Sequence, residues 1–340
     1  MKLLIFTQKI DKNDSTLGFF CDWIKSFAEK ADSVTVICLE KGEFNFPNNV
    51  TVYSLGKEGR VSKFVYLKNL YHYLFLIRGS YNKVFVHMNE EYVLLAGLYW
   101  KMKNIPLFFW RNHPKGSIKT RLAVALSTKV FCTSTDSFTA RFKKTVIMPA
   151  GINTVVFRPV EGAVRRKYSV CVIGRISPIK RVGRALEAIN KLVLSGVQIS
   201  LSIVGSPLKK DLKYYDSLKN YVSANELSTS VSFVEAVAPD KLPEIYSSHE
   251  VCLNLTESGS FDKTIVEAAA CGAIPLVSNK SLSSLLPTVC VTGDSVEEIG
   301  QSLQKLLEAR IQVGIQKELK SFVDSQDLKS LTEKLFREIK

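Results

Sequence analysis

Short apolar segments alternate with amphipathic segments along almost the whole chain. In the first half the predicted strands begin with Leu3–Phe6 and end with Thr145–Met148, and helical patterns such as Thr16–Glu29 and Glu91–Lys103 lie between them. Such alternation is typical of a parallel sheet that carries helices on both faces. We therefore predict an α/β fold with a doubly wound parallel sheet.

The alternation is interrupted once. The segment PAGINTVVFRPVEGAVRRK, residues 149–167, contains two prolines and two glycines and has no clean period, which is typical of a linker. Strands resume at Tyr168–Ile173, and the last one is predicted at Val289–Val291. The length of 340 residues suits two such domains.

We predict an N-terminal Rossmann-like domain over residues 1–158, a C-terminal Rossmann-like domain over residues 159–325, and a final helix over residues 326–340 that crosses back to the first domain. Two such domains imply a cleft between them. Ligands of doubly wound sheets bind at the carboxyl ends of the strands, so the ligand is expected there.

Cysteine usage and hydropathy predict a cytoplasmic protein. The seven cysteines are odd in number and form no CxxC pair, which favours reduced thiols and argues against a zinc site. Only four consecutive apolar residues follow the first lysine, which suits a strand better than a signal peptide. The segment Tyr92–Trp100 is too short to span a membrane.

Positive charge is concentrated in the first half of the chain. Of the net charge of +14, residues 1–160 carry +12 and residues 161–340 carry +2. Nucleic acid, an anionic membrane surface or a phosphorylated substrate would each explain this excess, and so would solubility alone. Nucleic acid is the least supported partner, because no recognition motif is present. For peripheral membrane contact, the aromatic candidates are Phe19, Phe20, Tyr66, Tyr71 and Tyr73.

The segment SVCVIGRISPIKR, residues 169–181, predicts a phosphate site. A strand ends at Ile173, and Gly174 permits a tight turn. Ser177 is predicted to cap the helix that follows. Arg175 and Lys180 flank its start, where backbone amides and the helix dipole favour anions. A solvated basic helix start would explain the same residues equally well.

A second segment, TESGSFDKTIVEAAACGAIPLVSN, residues 256–279, combines a Ser/Gly-rich loop with another helix start. Its loop amides and the helix beginning near Asp262 or Lys263 suit a phosphate or sugar oxygen. Glu267, beside the small residues Ala268 to Ala270, is placed to bind a ribose diol. The alternative for Glu267 is a solvent-exposed helix position.

Several segments in order resemble the retaining GT-B glycosyltransferases, specifically glycosyltransferase family 4. GRISPIK is similar to the family's phosphate motif, and VEAAACGAIPLVS is similar to its EAMACGxPVV element. IVGSP, VSFVEAV and KLPEIYSSHEVCLNLT resemble the family's segments between those two. The resemblance covers most of the chain and is strongest from Val170 to Val277. It implies a GT-B fold, with two Rossmann-like domains that face a cleft.

The resemblance also implies roles for individual residues. Arg175 and Lys180 would hold the donor diphosphate, and His113, in the loop after the strand Pro106–Trp110, would act with them in catalysis. Glu267 would bind the nucleotide ribose. The other expected donor-binding residues are Gly18, Gly174, Gly205, Val234, Ala236, Gly259, Ser260, Phe261, Asp262, Lys263 and Thr264.

One position departs from the family pattern. Many members carry a glutamate eight residues before the one that corresponds to Glu267, and this chain has Gly259 there. That glutamate normally touches the donor sugar. Glu257, Asp262 or the backbone amides of residues 261–263 are the alternatives that would replace it.

Together these features predict a retaining hexosyltransferase. It would use a GDP- or UDP-sugar donor and a glycan, lipid-linked or phosphorylated acceptor in cell-envelope or polysaccharide synthesis. No DxD motif is present, so we expect neither a metal nor a cofactor. The alternatives are a non-catalytic GT-B protein that binds a nucleotide sugar or a partner, and another GT-B enzyme such as an epimerase.

Overall fold

The computed structural model describes residues 1–259 and 261–340, with only the backbone described at residues 309–313. The chain divides into two compact units. Unit 1 comprises Met1–Gly151 together with Leu328–Lys340, and unit 2 comprises Ile152–Asp327.

Unit 1 is built on a seven-stranded parallel sheet in the order β3-β2-β1-β4-β5-β6-β7. Its strands are β1 (Lys2–Ile10), β2 (Ser33–Lys41), β3 (Val50–Ser54), β4 (Lys83–His87), β5 (Leu107–Trp110), β6 (Lys129–Cys132) and β7 (Thr145–Ile147). The central strands are apolar on both faces, because helices cover both sides of the sheet.

Four helices connect these strands: α1 (Phe19–Ala28), α2 (Lys63–Leu76), α3 (Glu90–Met102) and α4 (Ile118–Leu126). Helix α1 packs on one face of the sheet through Trp23, Ile24 and Phe27. Helices α2, α3 and α4 all pack on the other face, where Leu74, Trp100 and Val124 enter one core.

Unit 2 is built on a five-stranded parallel sheet in the order β10-β9-β8-β11-β12. Its strands are β8 (Ser169–Ile173), β9 (Ser200–Val204), β10 (Val231–Val234), β11 (Val251–Asn254) and β12 (Ile274–Val277). Its helices are α5 (Val182–Leu194), α6 (Leu212–Ala224), α7 (Leu242–Ser247), α8 (Lys263–Ala270), α9 (Val296–Leu306) and α10 (Ala309–Gln326).

The last helix, α11 (Leu328–Ile339), belongs to unit 1. Its apolar stripe includes Leu331, Leu335 and Phe336, which lie in the same core as Trp23 and Phe27 of α1. Phe27 and Phe336 have ring centroids 5.9 Å apart. Unit 1 is therefore assembled from both ends of the sequence.

Two Rossmann-like parallel sheets confirm the predicted fold class. The strand predicted at Val289–Val291 is wrong: Thr288–Cys290 is a 3-10 turn, and Val291 makes only an isolated bridge to Val277. Cys290 is fully buried, so this short apolar run reflects burial of a turn and not an extended conformation.

All seven cysteines are free thiols and are buried. Throughout the described parts of the chain, no helix combines the length and the apolar character needed to cross a membrane.

Candidate functional site

Two glycines bring the carboxyl ends of β8 and β9 into close backbone contact. Gly174 and Gly205 have φ values of 130° and 150°, in the region that favours glycine. A Cβ atom on Gly205 would lie 1.9 Å from the carbonyl oxygen of Gly174. The amide of Gly205 also donates to the carbonyl of Val234 at 2.9 Å, which ties the end of β10 to the same place.

The predicted phosphate segment follows β8 as a tight loop. Pro178–Lys180 forms a single 3-10 turn, Arg181 takes a left-handed conformation with φ of 51°, and α5 begins only at Val182. The prediction that Ser177 caps this helix is wrong. Ser177 is extended and its buried hydroxyl has no hydrogen-bond partner among the described residues, because the left-handed Arg181 separates the turn from α5.

Arg175 and Lys180 differ in what they contact. Arg175 is exposed, and its guanidinium makes no hydrogen bond or ion pair with the described side chains or backbone. The Lys180 ammonium lies 3.7 Å from the position that a Cβ atom of Gly174 would take, and it forms an ion pair with Asp262. Two cations therefore flank the loop that follows β8, and one of them is already paired.

Asp262 connects that loop to the start of α8. It is the N-cap residue of α8 and accepts a hydrogen bond from the hydroxyl of Thr264 at 3.0 Å. Its other oxygen accepts from Asn254 at 2.8 Å and from Thr256 at 3.2 Å. Burial acts to raise the pKa of Asp262, but the charge of Lys180 and these hydrogen bonds lower that pKa to about 2.

The loop before α8 is held by the loop after β12. Gly259 has φ of 119°, is buried, and donates its amide to the hydroxyl of Ser281 at 3.1 Å. Phe261 is buried, whereas Ser260 lies outside the described residues. Glu257 is half exposed and pairs with Arg181 at 3.2 Å.

Glu267 is buried on α8, so the alternative of a solvent-exposed helix position is wrong, and its binding of a ribose stays a prediction. Its carboxylate accepts a hydrogen bond from the hydroxyl of Tyr246 at 3.1 Å. Burial raises the pKa of Glu267 to about 7, although the charge of Lys263 and the Tyr246 hydrogen bond act to lower it. A carboxyl group with a raised pKa is thus fixed one turn inside α8.

The end of β10 presents backbone groups. Val234 and Ala236 are exposed, and the amide of Ala236 donates to the hydroxyl of Ser206 at 3.1 Å. This is the segment expected to hold the base of a nucleotide.

His113 lies in unit 1, in the loop after β5. Its Nδ1 atom is 2.8 Å from the carbonyl oxygen of Lys115 and 3.0 Å from the amide of Lys115, so the loop fixes the ring. The carbonyl of His113 accepts from the amide of Phe138 at 2.8 Å. The residue is exposed.

Gly18 immediately precedes α1. Its amide donates to the carbonyl of Asp14 at 2.9 Å, and a Cβ atom there would lie 2.6 Å from that oxygen. A close backbone approach therefore accounts for this glycine by itself. Next to it, Phe20 is buried and stacks on His87 with ring centroids 4.1 Å apart, so Phe20 is not an exposed membrane contact.

Within unit 2 the predicted residues fall into one group around the Lys180–Asp262 pair, which includes Gly174, Thr264 and the strand end at Gly205. Sequence patterns did not predict four further partners of this group, Asn254, Thr256, Tyr246 and Arg181. Asn254 and Thr256 were detectable, because polar residues at the carboxyl end of a buried strand are typical of such sites.

The two Rossmann-like units give the chain the GT-B fold. Residues 156–312, which lie in unit 2, match the family model described as Glycosyl transferases group 1. The match covers slightly less than half of the chain.

Particular proteins are similar to this chain. D-inositol 3-phosphate glycosyltransferase from Rhodococcus opacus is 28% identical over 149 residues, which are 42% of this chain and 33% of that protein. The chain thus spans about a third of the length of this curated relative. HepE from Anabaena, solved in complex with UDP and glucose, has a TM-score of 0.78 at 16% identity and covers 99% of this chain and 98% of its own. WaaG, described as a glycosyltransferase involved in lipopolysaccharide biosynthesis, has a TM-score of 0.68 at 16% identity, with 99% of each chain covered.

Proposed function

We propose that this protein is a retaining hexosyltransferase. It transfers a sugar from a nucleoside diphosphate donor to a glycan, lipid-linked or phosphorylated acceptor in cell-envelope or polysaccharide synthesis. The observation that carries this proposal is the grouping of Arg175, Lys180 and the capped start of α8 around the glycine loop after β8.

The chemistry of this group suits a leaving diphosphate. When the bond between the anomeric carbon and the β-phosphate oxygen breaks, negative charge builds on the diphosphate. Fixed cations and helix-start amides stabilise such charge without reorganisation, which is the largest catalytic effect available to many enzymes. No metal is needed in this proposal, because Arg175 and Lys180 supply the positive charge.

Three further residues complete the proposed donor site. Glu267 would accept hydrogen bonds from the ribose hydroxyls, and the backbone at Val234 and Ala236 would contact the base. We expect a UDP- or GDP-sugar, and the HepE complex with UDP favours testing UDP-sugars first. His113 would act on the sugar side.

The acceptor is the least constrained part of the proposal. The relative from Rhodococcus opacus is named for a phosphorylated acceptor, inositol 3-phosphate, and WaaG is described as acting in lipopolysaccharide biosynthesis. The basic first half of the chain suits a phosphorylated acceptor or one at an anionic inner membrane surface.

The test is release of nucleoside diphosphate from a panel of donors, with crude lipid extract as acceptor and products identified by mass spectrometry. Arg175→Ala is expected to lower kcat about a hundredfold or more, because it removes a fixed charge at the leaving group. The matched control is Arg158→Ala, which removes another exposed arginine of unit 2 and should leave the rate unchanged. Equal rates for Arg175→Ala and wild type would show that the diphosphate binds elsewhere.

Gly259 favours a second candidate, a non-catalytic protein that binds a nucleotide sugar. The position expected to carry a glutamate is a buried glycine, and the alternatives Asp262 and Glu257 are already paired with Lys180 and Arg181. Calorimetry discriminates the two candidates, since donor binding without transfer or hydrolysis products would support the second. Conversion of the donor sugar in the absence of an acceptor would indicate an epimerase instead.

A further inference from the structure

Helix α2 carries an exposed apolar stripe beside the face that packs on the core of unit 1. Phe64, Leu67, Tyr71 and Phe75 follow one another at spacings of three, four and four residues, which places them on one face of a helix. The adjoining side of α2 fills the core with Leu70 and Leu74. The ends of the stripe are the most exposed, with Phe64 at 86% and Phe75 at 67%.

The two neighbouring helices repeat this arrangement. On α3, Leu95, Leu98 and Met102 are exposed at spacings of three and four residues. On α4, Ile118 and Leu122 are exposed at a spacing of four residues, and Ile118 is 77% exposed. Three consecutive helices therefore each have a second apolar side that the core does not use.

These stripes lie side by side. All three helices pack on the same face of the sheet, and the hydroxyl of Tyr71 donates to the carbonyl of Leu95 at 3.2 Å. Helices α3 and α4 approach closely at Gly97, where a Cβ atom would lie 3.2 Å from Leu126. We call this combined surface the outer face of α2–α4. Exposed apolar surface that is contiguous over several helices marks an interaction site.

The positive charge around the outer face of α2–α4 indicates an anionic partner for this surface. The segments 63–78, 90–103 and 118–126, which contain the three helices, carry seven exposed lysines and arginines and only two acidic residues, Glu90 and Glu91. Glu90 is buried and lies 3.5 Å from Arg111, which offsets its charge. Arg78 stacks on the ring of Phe75 at 3.7 Å, so cationic and apolar groups share the surface. Basic residues around exposed apolar side chains are typical of proteins that dock on anionic bilayers.

We propose that the outer face of α2–α4 docks this protein on an anionic lipid bilayer. Its apolar side chains enter the boundary between headgroups and acyl chains, and basic residues such as Lys68 and Arg121 pair with lipid phosphates. Docking of this kind requires no turnover and so goes beyond the proposed transfer reaction.

The first experiment is flotation of the full chain with vesicles of phosphatidylcholine, with and without phosphatidylglycerol. Wild type is expected to float only with phosphatidylglycerol and to detach as salt is raised. The double variant Phe64→Ser/Phe75→Ser should lower the partition coefficient at least tenfold, and Lys68→Glu/Arg121→Glu should do the same. The matched controls in unit 2 are Val155→Ser/Leu194→Ser and Lys210→Glu/Lys213→Glu, which change exposed residues and should float like wild type.

The second experiment uses an added fluorophore. Trp23, Trp100 and Trp110 are all buried, so an indole on the surface would stand out from them. Phe64→Trp should shift its emission to shorter wavelength when phosphatidylglycerol vesicles are added. Val155→Trp places an indole at a 77% exposed site in unit 2 and should not shift.

Three results would overturn the proposal, provided that circular dichroism shows each variant folded. They are the absence of binding to phosphatidylglycerol vesicles at low salt, equal binding by wild type and Phe64→Ser/Phe75→Ser, and a dimer in solution that this variant dissociates while vesicles bind neither. The last result would assign the outer face to a second copy of the chain. None of these readouts depends on sugar transfer, so they remain informative if the proposed activity is not found.

Discussion

At the scale of single residues, the two cations of the candidate site are prepared to different degrees. Arg175 is exposed, whereas Lys180 is paired with Asp262, so in the proposed site Lys180 would exchange this carboxylate for a phosphate oxygen. Glu267, unlike Arg175, is removed from solvent: its carboxyl group is buried and accepts a hydrogen bond from one hydroxyl group. Desolvation favours its neutral form, and this has a measurable consequence for stability.

Glu267→Gln is expected to change how the stability of unit 2 depends on pH. The pKa of Glu267 is about 7 in the folded protein, above the ordinary value of 4.5, so the folded state holds its proton more tightly. The stabilisation is therefore complete below pH 4.5 and is lost as pH rises toward 7. The glutamine variant cannot lose it, so at neutral pH it should be more stable than wild type by up to about 3 kcal/mol.

The measurement is urea unfolding at a series of pH values from 4.5 to 8, with amide hydrogen exchange in unit 2 as the readout. The matched control is Glu244→Gln, which neutralises an exposed carboxylate on the neighbouring α7. A difference between wild type and Glu267→Gln that stays constant across this range would contradict the raised pKa.

At the scale of elements, the start of α8 is fixed from several directions. Asp262 caps the helix and pairs with Lys180 from the loop after β8, and Asn254 at the end of β11 bonds both Asp262 and Thr264. The loop after β8 and the helix start are thus held together before any ligand arrives. This arrangement presents cations and helix amides in one fixed geometry.

A double-mutant cycle on Lys180→Met and Asp262→Asn should give a coupling energy of about 2 kcal/mol, because the pair is mostly removed from solvent. Asparagine keeps the capping oxygen, so the cycle isolates the charge pair. The comparison pair is Lys191–Glu297, whose side chains are 54% and 63% exposed and should couple much more weakly, because solvent screens the two charges. Similar coupling in the two pairs would show that burial adds nothing to the first.

Local patterns predicted much of this site, and contacts between distant residues account for what was missed. Gly174 and the neighbouring basic residues were predicted from one short segment, and so was the helix start at Asp262 or Lys263. The Lys180–Asp262 pair joins residues 82 positions apart, and Glu267 is buried partly by Tyr246 from another helix. Neither contact has a sequence pattern of its own.

The sequence pattern also did not show which side of α2 is buried and which is exposed. Tyr71 was predicted as a surface aromatic together with Phe20, but Phe20 lies in the core and Tyr71 on the outer face of α2–α4. Helix α2 is apolar on both sides, so periodicity alone does not tell which side the sheet covers. The fold resolves this, because α2 packs on the sheet through Leu70 and Leu74.

At the scale of the whole molecule, unit 1 includes α11, which is separated in sequence from the rest of the unit by all of unit 2. Leu335 of α11 is fully buried in the core that contains Trp23 and Phe27. Lys129 at the start of β6 pairs with Glu338 at 2.8 Å. The helix is therefore a structural part of unit 1.

Leu335→Ala is expected to destabilise unit 1 by about 3 kcal/mol, since it leaves a cavity in a packed core. Unit 2 should be unaffected, so amide exchange should accelerate in β1 and α1 and stay unchanged in β8 and α5. The control is Leu194→Ala, which truncates a leucine that is 79% exposed. Equal acceleration in both units would show that they unfold together.

Because α11 completes unit 1, the two units are expected to finish folding in a different order from the one in which they are synthesised. Unit 2 is continuous and can close its core as soon as residues 152–327 have emerged from the ribosome. Unit 1 is synthesised first, yet it waits for residues 328–340, with Trp23 and Phe27 uncovered on the side that α11 will fill. We therefore expect the half of the chain made first to be the half completed last, with apolar surface uncovered until α11 arrives.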